Sequence, residues 1–239
     1  MSGEKEVTTI YYGILSNNPN LIVDNLPKFI ELYKMSENVR PINSRLQDIL
    51  SYSIVHNINI FDLLLQYINI DCVDRCSRTL LIRMISDHYS LNYINFVISH
   101  TKNINLKDEF HRSAIYLLVE NFGEWDDIYE YYKTIDMMLD KGANLYDIKM
   151  DCAMGPFWFP ICIRDIVMLK FILDRSNFSD DILFDCISRS YYDGIELALK
   201  YISDINNINR NGDTVLSYAI KNKCSNDIID LLVENDARL

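Results

Sequence analysis

Ile205-Asn206-Asn207-Ile208-Asn209-Arg210-Asn211-Gly212-Asp213-Thr214-Val215-Leu216-Ser217-Tyr218-Ala219-Ile220 opens the C-terminal stretch of the chain, which continues through Ile228-Ile229-Asp230-Leu231-Leu232 to Asn235-Asp236-Ala237. Asn209-Arg210-Asn211-Gly212 reads as a turn, because Gly212 can take a positive φ without a steric cost. Thr214 follows as a helix N-cap, its hydroxyl placed to accept a bond from an otherwise unpaired amide of the first turn. Leu216, Ala219 and Ile220 are expected on one face of that helix. A polar break from Lys221 to Asp227 precedes a second apolar face, Ile228, Leu231 and Leu232, at helical spacing. Residues 205–239 are thus turn, helix, break, helix.

Helices this short cannot bury their apolar sides alone and need similar neighbours. Two upstream stretches supply them: Asp74-Arg75-Cys76-Ser77-Arg78-Thr79-Leu80-Leu81-Ile82-Arg83-Met84 and Asp108-Glu109-Phe110-His111-Arg112-Ser113-Ala114-Ile115-Tyr116-Leu117-Leu118. Asp74 and Asp108 are 34 positions apart, as are Thr79 and Ser113, against a period of about 33 for ankyrin repeats. The chain resembles an ankyrin-repeat protein through the pattern Asp-x-x-Gly-x-Thr-Pro-Leu-His-x-Ala, matched best at 209–219 and also at 74–84 and 108–118. That resemblance implies an all-α ankyrin-repeat solenoid of about six to seven degenerate helix-turn-helix repeats. Residues 1–239 would form one domain, with 1–44 an atypical N-terminal repeat or cap and 205–239 the C-terminal repeat.

The totals agree with a folded chain. At 239 residues, 49% hydrophobic and with a mean hydropathy of -0.04, it has the apolar content for a core. A net charge of -11 argues against nucleic acid as a partner, since phosphate contacts need clustered Lys and Arg. Six scattered cysteines are too few for a disulfide scaffold, and Cys72 and Cys76 have no second pair at metal spacing. No metal and no cofactor are expected, and the thiols read as structural ones in a reducing compartment. The polar opening Met1-Ser2-Gly3-Glu4-Lys5-Glu6 has no signal-peptide core, and no apolar run is long enough to cross a membrane. The expectation is an intracellular protein without a membrane partner.

Apolar stripes mark the other helices. Ile10, Tyr11, Ile14 and Leu15 form the first, and Leu26, Phe29, Ile30 and Tyr33 the second, with Asn25 as its cap and Pro27 in its first turn. Residues 35–43 read as a loop. Leu46, Ile49, Leu50 and Ile54 are followed by Phe61, Leu64, Leu65 and Ile68, the cleanest amphipathic spacing in the chain. Leu91, Ile94, Val97 and Ile98 complete the Asp74 repeat. The Asp108 repeat ends in Ile135, Met138 and Leu139, closed by Gly142 in a left-handed position. Residues 121–132 exceed the standard period by about eight and are expected as a lengthened helix or an insertion. Residues 145–163 are irregular around Pro160, and helix resumes at Asp165 with Ile166, Leu169 and Leu173. Ile182, Leu183, Cys186, Ile187, Ile195, Ala198, Leu199 and Ile202 make one further repeat.

The family pattern is departed from at several positions. Leu80, Ala114 and Val215 replace its proline, and Ile82, Tyr116 and Ser217 its histidine. Ser77 and His111 stand where the turn glycine belongs; a left-handed non-glycine residue costs roughly 1–2 kcal/mol, so these two turns are expected to be reshaped. Such degenerate repeats, rich in Ile, Asn, Asp and Tyr, resemble those of the poxvirus ankyrin host-interaction proteins. Larger members of that group end in an F-box-like segment that recruits a ubiquitin ligase; this chain runs out within a repeat, so either it resembles the short members or a tail lies outside this sequence. The resemblance implies an antagonist of a host innate-immunity protein in the host cytoplasm or nucleus, acting by occupancy as a monomer or weak homodimer. The alternative is a substrate-binding adaptor for a ubiquitin ligase.

An enzyme is not expected. The chain has no Gly-x-Ser-x-Gly, no phosphate-binding glycine loop and no His-Glu-x-x-His. His56, His88, His100 and His111 fall near turns or helix ends, and Asp126 and Asp127 point in different directions on a helix. Binding is the stronger reading. In ankyrin proteins the turn tips and first helices form the binding surface, which by resemblance singles out Arg75, Arg78, Phe110, His111, Arg112, Tyr116, Arg210 and Asp213. Arg and aromatic residues are the types most often found as binding hot spots. A second candidate surface is aromatic: Trp125 and Tyr129 in the extra segment, and Trp158 beside Pro160. If exposed they mark an interface; if packed they are core.

Overall fold

The computed structural model describes residues 4–34, 40–144, 157–175 and 181–239. Chain contacts gather into two compact units, residues 1–149 and 150–239. The first contains α1 (Glu4–Leu15), α2 (Pro19–Lys34), α3 (Arg40–His56), a 3₁₀ turn (Ile58–Ile60), α4 (Phe61–Leu65), α5 (Leu80–Ser86), α6 (Leu91–His100), α7 (Ala114–Glu120) and α8 (Ile128–Asp140). The second contains α9 (Trp158–Ile163), α10 (Ile166–Leu173), α11 (Asp181–Ser188), α12 (Tyr192–Ala198), α13 (Val215–Lys221) and α14 (Asn226–Glu234). Among the described residues consecutive helices pair, giving four pairs in the first unit and three in the second. The leading helices α1, α3, α5 and α7 touch in sequence in one unit, and α9, α11 and α13 in the other. Among the described residues there is no strand, only isolated bridges at Lys107–Ser113 and Ile208–Thr214.

Helices of seven residues, such as α5, α7 and α13, do not hold in water on hydrogen bonds alone. Burial holds them. Leu80, Leu81, Ile82, Met84 and Ile85 of α5 are all buried, as are Leu91, Ile94, Val97 and Ile98 of α6. Each such side chain contributes roughly 1.5–3 kcal/mol. The starts of these helices are set by hydroxyls: Thr79 accepts from the Ile82 amide at 3.2 Å, Ser113 from Tyr116 at 3.4 Å and Thr214 from Ser217 at 3.2 Å. The end of α8 closes as expected at Gly142, φ 84°, with the Gly142 and Ala143 amides on the Leu139 and Met138 carbonyls, both at 2.9 Å.

Several expectations are corrected. The second helix begins at Pro19, not near Asn25, because Asn18 accepts the Asn20 amide at 3.2 Å and Pro19 takes the first position, where no amide is needed. Pro27 therefore sits mid-helix, a fault tolerated because Ile22, Leu26 and Phe29 are fully buried around it. Helix α3 starts at Arg40, inside the expected 35–43 loop, with Pro41 in its first turn; 35–39 lie outside the described residues. The stripe Phe61–Ile68 folds as the short α4 and a turn, with Ile68 buried after the helix has ended. Ile220 and Leu15 are exposed, and Val215 is buried in place of Ile220, because the actual core face begins one residue after the cap. Residues 121–127 form a loop, turning at Gly123 (φ 96°), not a lengthened helix. Of the irregular segment, 145–156 lie outside the described residues, and Pro160 is accommodated in the first turn of α9.

Candidate protein-binding surface

The three turns share one construction. At the first, Asp74 Oδ1 accepts the Cys76 and Arg78 amides, both at 2.9 Å, and the Arg78 carbonyl accepts the Asp74 amide at 3.0 Å. At the second, Asp108 Oδ1 accepts the Phe110 amide at 3.0 Å and the Arg112 amide at 2.9 Å. At the third, Asn209 Oδ1 accepts from Asn211 at 2.9 Å and Asp213 at 3.0 Å. The left-handed position is Ser77 (φ 58°), His111 (φ 61°) and Gly212 (φ 79°). The turns lacking glycine are thus not reshaped. Three bonds from one Asp side chain and backbone outweigh the roughly 1–2 kcal/mol of left-handed strain.

This construction sorts the predicted contact residues. Arg78 and Arg112 are occupied at home: Arg78 Nε lies 3.0 Å and Arg112 Nε 2.9 Å from Oδ2 of Asp74 and Asp108, both nearly fully buried carboxylates. Asp213 donates its amide to Asn209, and its carboxylate pairs with Lys221. Arg75, His111 and Arg210 are exposed. Phe110 is 64% exposed, with the Arg112 guanidinium 5.0 Å from its ring centre. Tyr116 is half-buried on α7 and donates its hydroxyl to Glu120 at 3.1 Å. The first two tips are joined directly, the Glu109 amide donating to the Cys76 carbonyl at 3.1 Å.

The aromatic segment divides. Trp125 is half-buried and its Nε1 donates to the Tyr89 carbonyl at 2.9 Å, so it packs the extra loop onto the preceding repeat. Tyr131 is buried, its hydroxyl on the Leu118 carbonyl at 3.0 Å. Tyr129 points outward, 73% exposed. The Trp158 side chain lies outside the described residues, although its backbone opens α9.

Two features escaped the sequence reading. Gln47, fully buried on α3, donates through Nε2 to the Cys72 and Arg78 carbonyls at 2.8 and 2.9 Å, holding the first turn from the preceding repeat. The first unit also contains a recess of about 320 Å³ lined by Tyr11, Asp48, Tyr52, His56, Arg83 and Tyr89. Tyr52 and His56, one helical turn apart on α3, were the available signal; a partner for them on α1 could not be read without the packing. Burial pushes Cys72 up to about 11 and Cys186 up to about 12, which keeps both thiols protonated and inert. Among the described residues no His, Cys, Asp and Glu cluster is placed to hold a metal, and no helix is long and apolar enough to cross a membrane.

No protein-family model matches the chain, and no curated protein matches it in sequence. Solved structures do. The ankyrin-repeat domain of Bcl-3, described as a unique member of the IkappaB family, aligns with a TM-score of 0.65 at 14% identity, over 94% of this chain and 97% of that one. An ankyrin-repeat domain from Acinetobacter baumannii AYE aligns with a TM-score of 0.60 at 17% identity, over 81% and 98%. A chain of the complex between a predatory endopeptidase of Bdellovibrio bacteriovorus and an immunity protein aligns with a TM-score of 0.52 at 17% identity, over 79% and 96%. With its repeated Asp- or Asn-anchored turns and paired short helices, the chain has the ankyrin-repeat fold.

Proposed function

We propose that this chain is a protein-binding module that engages its partner through the turn tips and the leading helices. Residues 1–239 are taken as a single repeat domain. The observation that carries this reading is the division of labour at the tips. Each turn satisfies its own backbone through Asp74, Asp108 or Asn209, which leaves Arg75, Phe110 and Arg210 as spare side chains on rigid mounts. Exposed Arg and aromatic groups on pre-organised backbone are what a protein interface uses, because little entropy is lost on docking. The similar fold of the Bcl-3 ankyrin-repeat domain, and of a chain solved in an endopeptidase–immunity protein complex, supports the same class of function.

The finer reading is an antagonist that occupies a host innate-immunity protein in the host cytoplasm or nucleus. It is supported by the likeness of these Ile-, Asn- and Tyr-rich degenerate repeats to the short poxvirus ankyrin proteins. The test is affinity capture with mass spectrometry from infected or transfected cells, comparing the natural chain with an Arg75→Ala/Phe110→Ala variant of equal thermal stability. A host signalling protein captured by the first and lost from the second is the expected result. Ligase subunits that co-purify through the same surface would turn the reading to an adaptor, and identical capture by both chains would refute the tip assignment.

A further inference from the structure

Tyr129, at the start of α8, takes no part in the core or in the turn tips. Among the described residues it is the most exposed aromatic side chain, at 73%, and its hydroxyl makes no hydrogen bond there. Other tyrosine hydroxyls are committed: Tyr131 to the Leu118 carbonyl at 3.0 Å, Tyr116 to Glu120 at 3.1 Å and Tyr201 to Asp174. The surroundings of Tyr129 are acidic. Between Arg112 and Lys133 the chain carries Glu120, Glu124, Asp126, Asp127 and Glu130 and no basic residue. Glu124 and Asp126 are exposed and make no ion pair among the described residues, whereas Glu130 is held by Lys133 at 2.9 Å.

The backbone at this point is also easy to draw out. Tyr129 is the second residue of α8, where an amide has no helical partner. Asp127 Oδ1 accepts the Glu130 amide at 3.0 Å, and the Asp127 carbonyl accepts the Tyr131 amide at 3.0 Å. Extending 126–130 breaks those two bonds first, at about 1 kcal/mol each, and helix ends open readily. A phosphate placed here suits the fold. Its charge of about −1.5 to −2 would stand at the positive end of the helix dipole. It would also precede Lys133 by four residues, the acid-before-lysine order that supports a helix. On Tyr131 the same group would be forced into the core and would strand the Leu118 carbonyl.

We propose that Tyr129 is a phosphorylation site for a tyrosine-directed protein kinase with a basic substrate groove. The phenol oxygen attacks the γ-phosphorus of ATP bound to the kinase, the phenolic proton passes to a base of the kinase, and ADP leaves. Glu124 and Asp126 supply charge complementary to such a groove. The site needs neither Arg75 nor Phe110, so it stands apart from the tip assignment.

The test is treatment of the full folded chain with ATP and the catalytic domain of a tyrosine kinase selective for acidic substrates, with each tyrosine followed by tandem mass spectrometry. Tyr129 is expected to be labelled first. Tyr12 is 63% exposed but lies well inside α1, in a stretch with no acidic residue from 7 to 23, and should lag behind. Tyr192, 41% exposed and three residues after Arg189, should lag as well. Tyr129→Phe should lose most of the label, and Arg75→Ala/Phe110→Ala should be labelled at the natural rate. Glu124→Gln/Asp126→Asn leaves the Asp127 cap in place and should slow labelling by about three- to tenfold. Label spread evenly over Tyr12, Tyr129 and Tyr192 would overturn the proposal. So would labelling of Tyr129 only after unfolding in urea, or a charge-neutralised variant labelled at full rate.

Discussion

The Arg112 guanidinium lies on the Asp108 carboxylate, Nε and Nη2 both 2.9 Å from Oδ2, while Oδ1 takes the amides of Phe110 and Arg112. One nearly buried side chain thus anchors a whole turn. Asp108→Ala strands those two amides and removes a charge-assisted pair, so it should cost about 2–4 kcal/mol in urea unfolding. Asp108→Asn should cost less than half as much, because Asn209 performs the same amide-capping without a carboxylate. An alanine variant as stable as the natural chain would remove the anchor from the account.

Strain at the tips is a second reserve. His111 is exposed and held at φ 61°. His111→Gly should raise stability by about 0.5–1 kcal/mol, the left-handed penalty relieved less the backbone entropy of glycine. Gly212→Ala should lower it by about 1 kcal/mol through backbone strain, since a Cβ there meets nothing within 4 Å. Calorimetric melting of the two variants should move in opposite directions.

Acid should strengthen one helix. Burial, then the Asp181 carboxylate, raise Asp185 on α11 to about 6. In the unfolded chain the group ionises near 4, so between about pH 4 and 6 the unfolded state loses its proton first and is favoured as pH rises. The resulting penalty is absent below pH 4 and fully present above pH 6, at up to about 3 kcal/mol. Asp185→Asn should therefore raise the urea midpoint at pH 7 and flatten the stability profile between pH 4 and 7. A profile of unchanged slope would count against the burial of this carboxylate.

Trp125 provides an optical check. In a Trp158→Phe background, its emission should show acrylamide quenching between that of free indole and a core tryptophan, as its half-buried ring and the bond to the Tyr89 carbonyl require. Quenching as efficient as free indole would mean that the 121–127 loop is not packed.

The repeat was legible in the sequence because its turn chemistry is local. Asp74 and Thr79, repeated 34 residues later as Asp108 and Ser113, specify a turn and a cap through bonds from side chain to nearby backbone. The start of α2 was missed because Pro27 was weighed by its general cost, and not against the buried face that crosses it. The roles of Arg78 and Arg112 were missed for the opposite reason: an Arg four residues after an Asp reads as spare charge until the turn brings both to one side. The Tyr11–Tyr52 recess required contact between α1 and α3, which no spacing within either helix encodes.

Gln47 reaches out of its own repeat to bolt down the Cys72 and Arg78 carbonyls. One period on, the corresponding residue is Leu81, a hydrocarbon with nothing to donate. Modules cut from this array are consequently not interchangeable bricks: excising 40–65 to shorten the protein would leave the next hairpin hanging from an unfastened joint, and a graft that ends at α3 must carry its amide along.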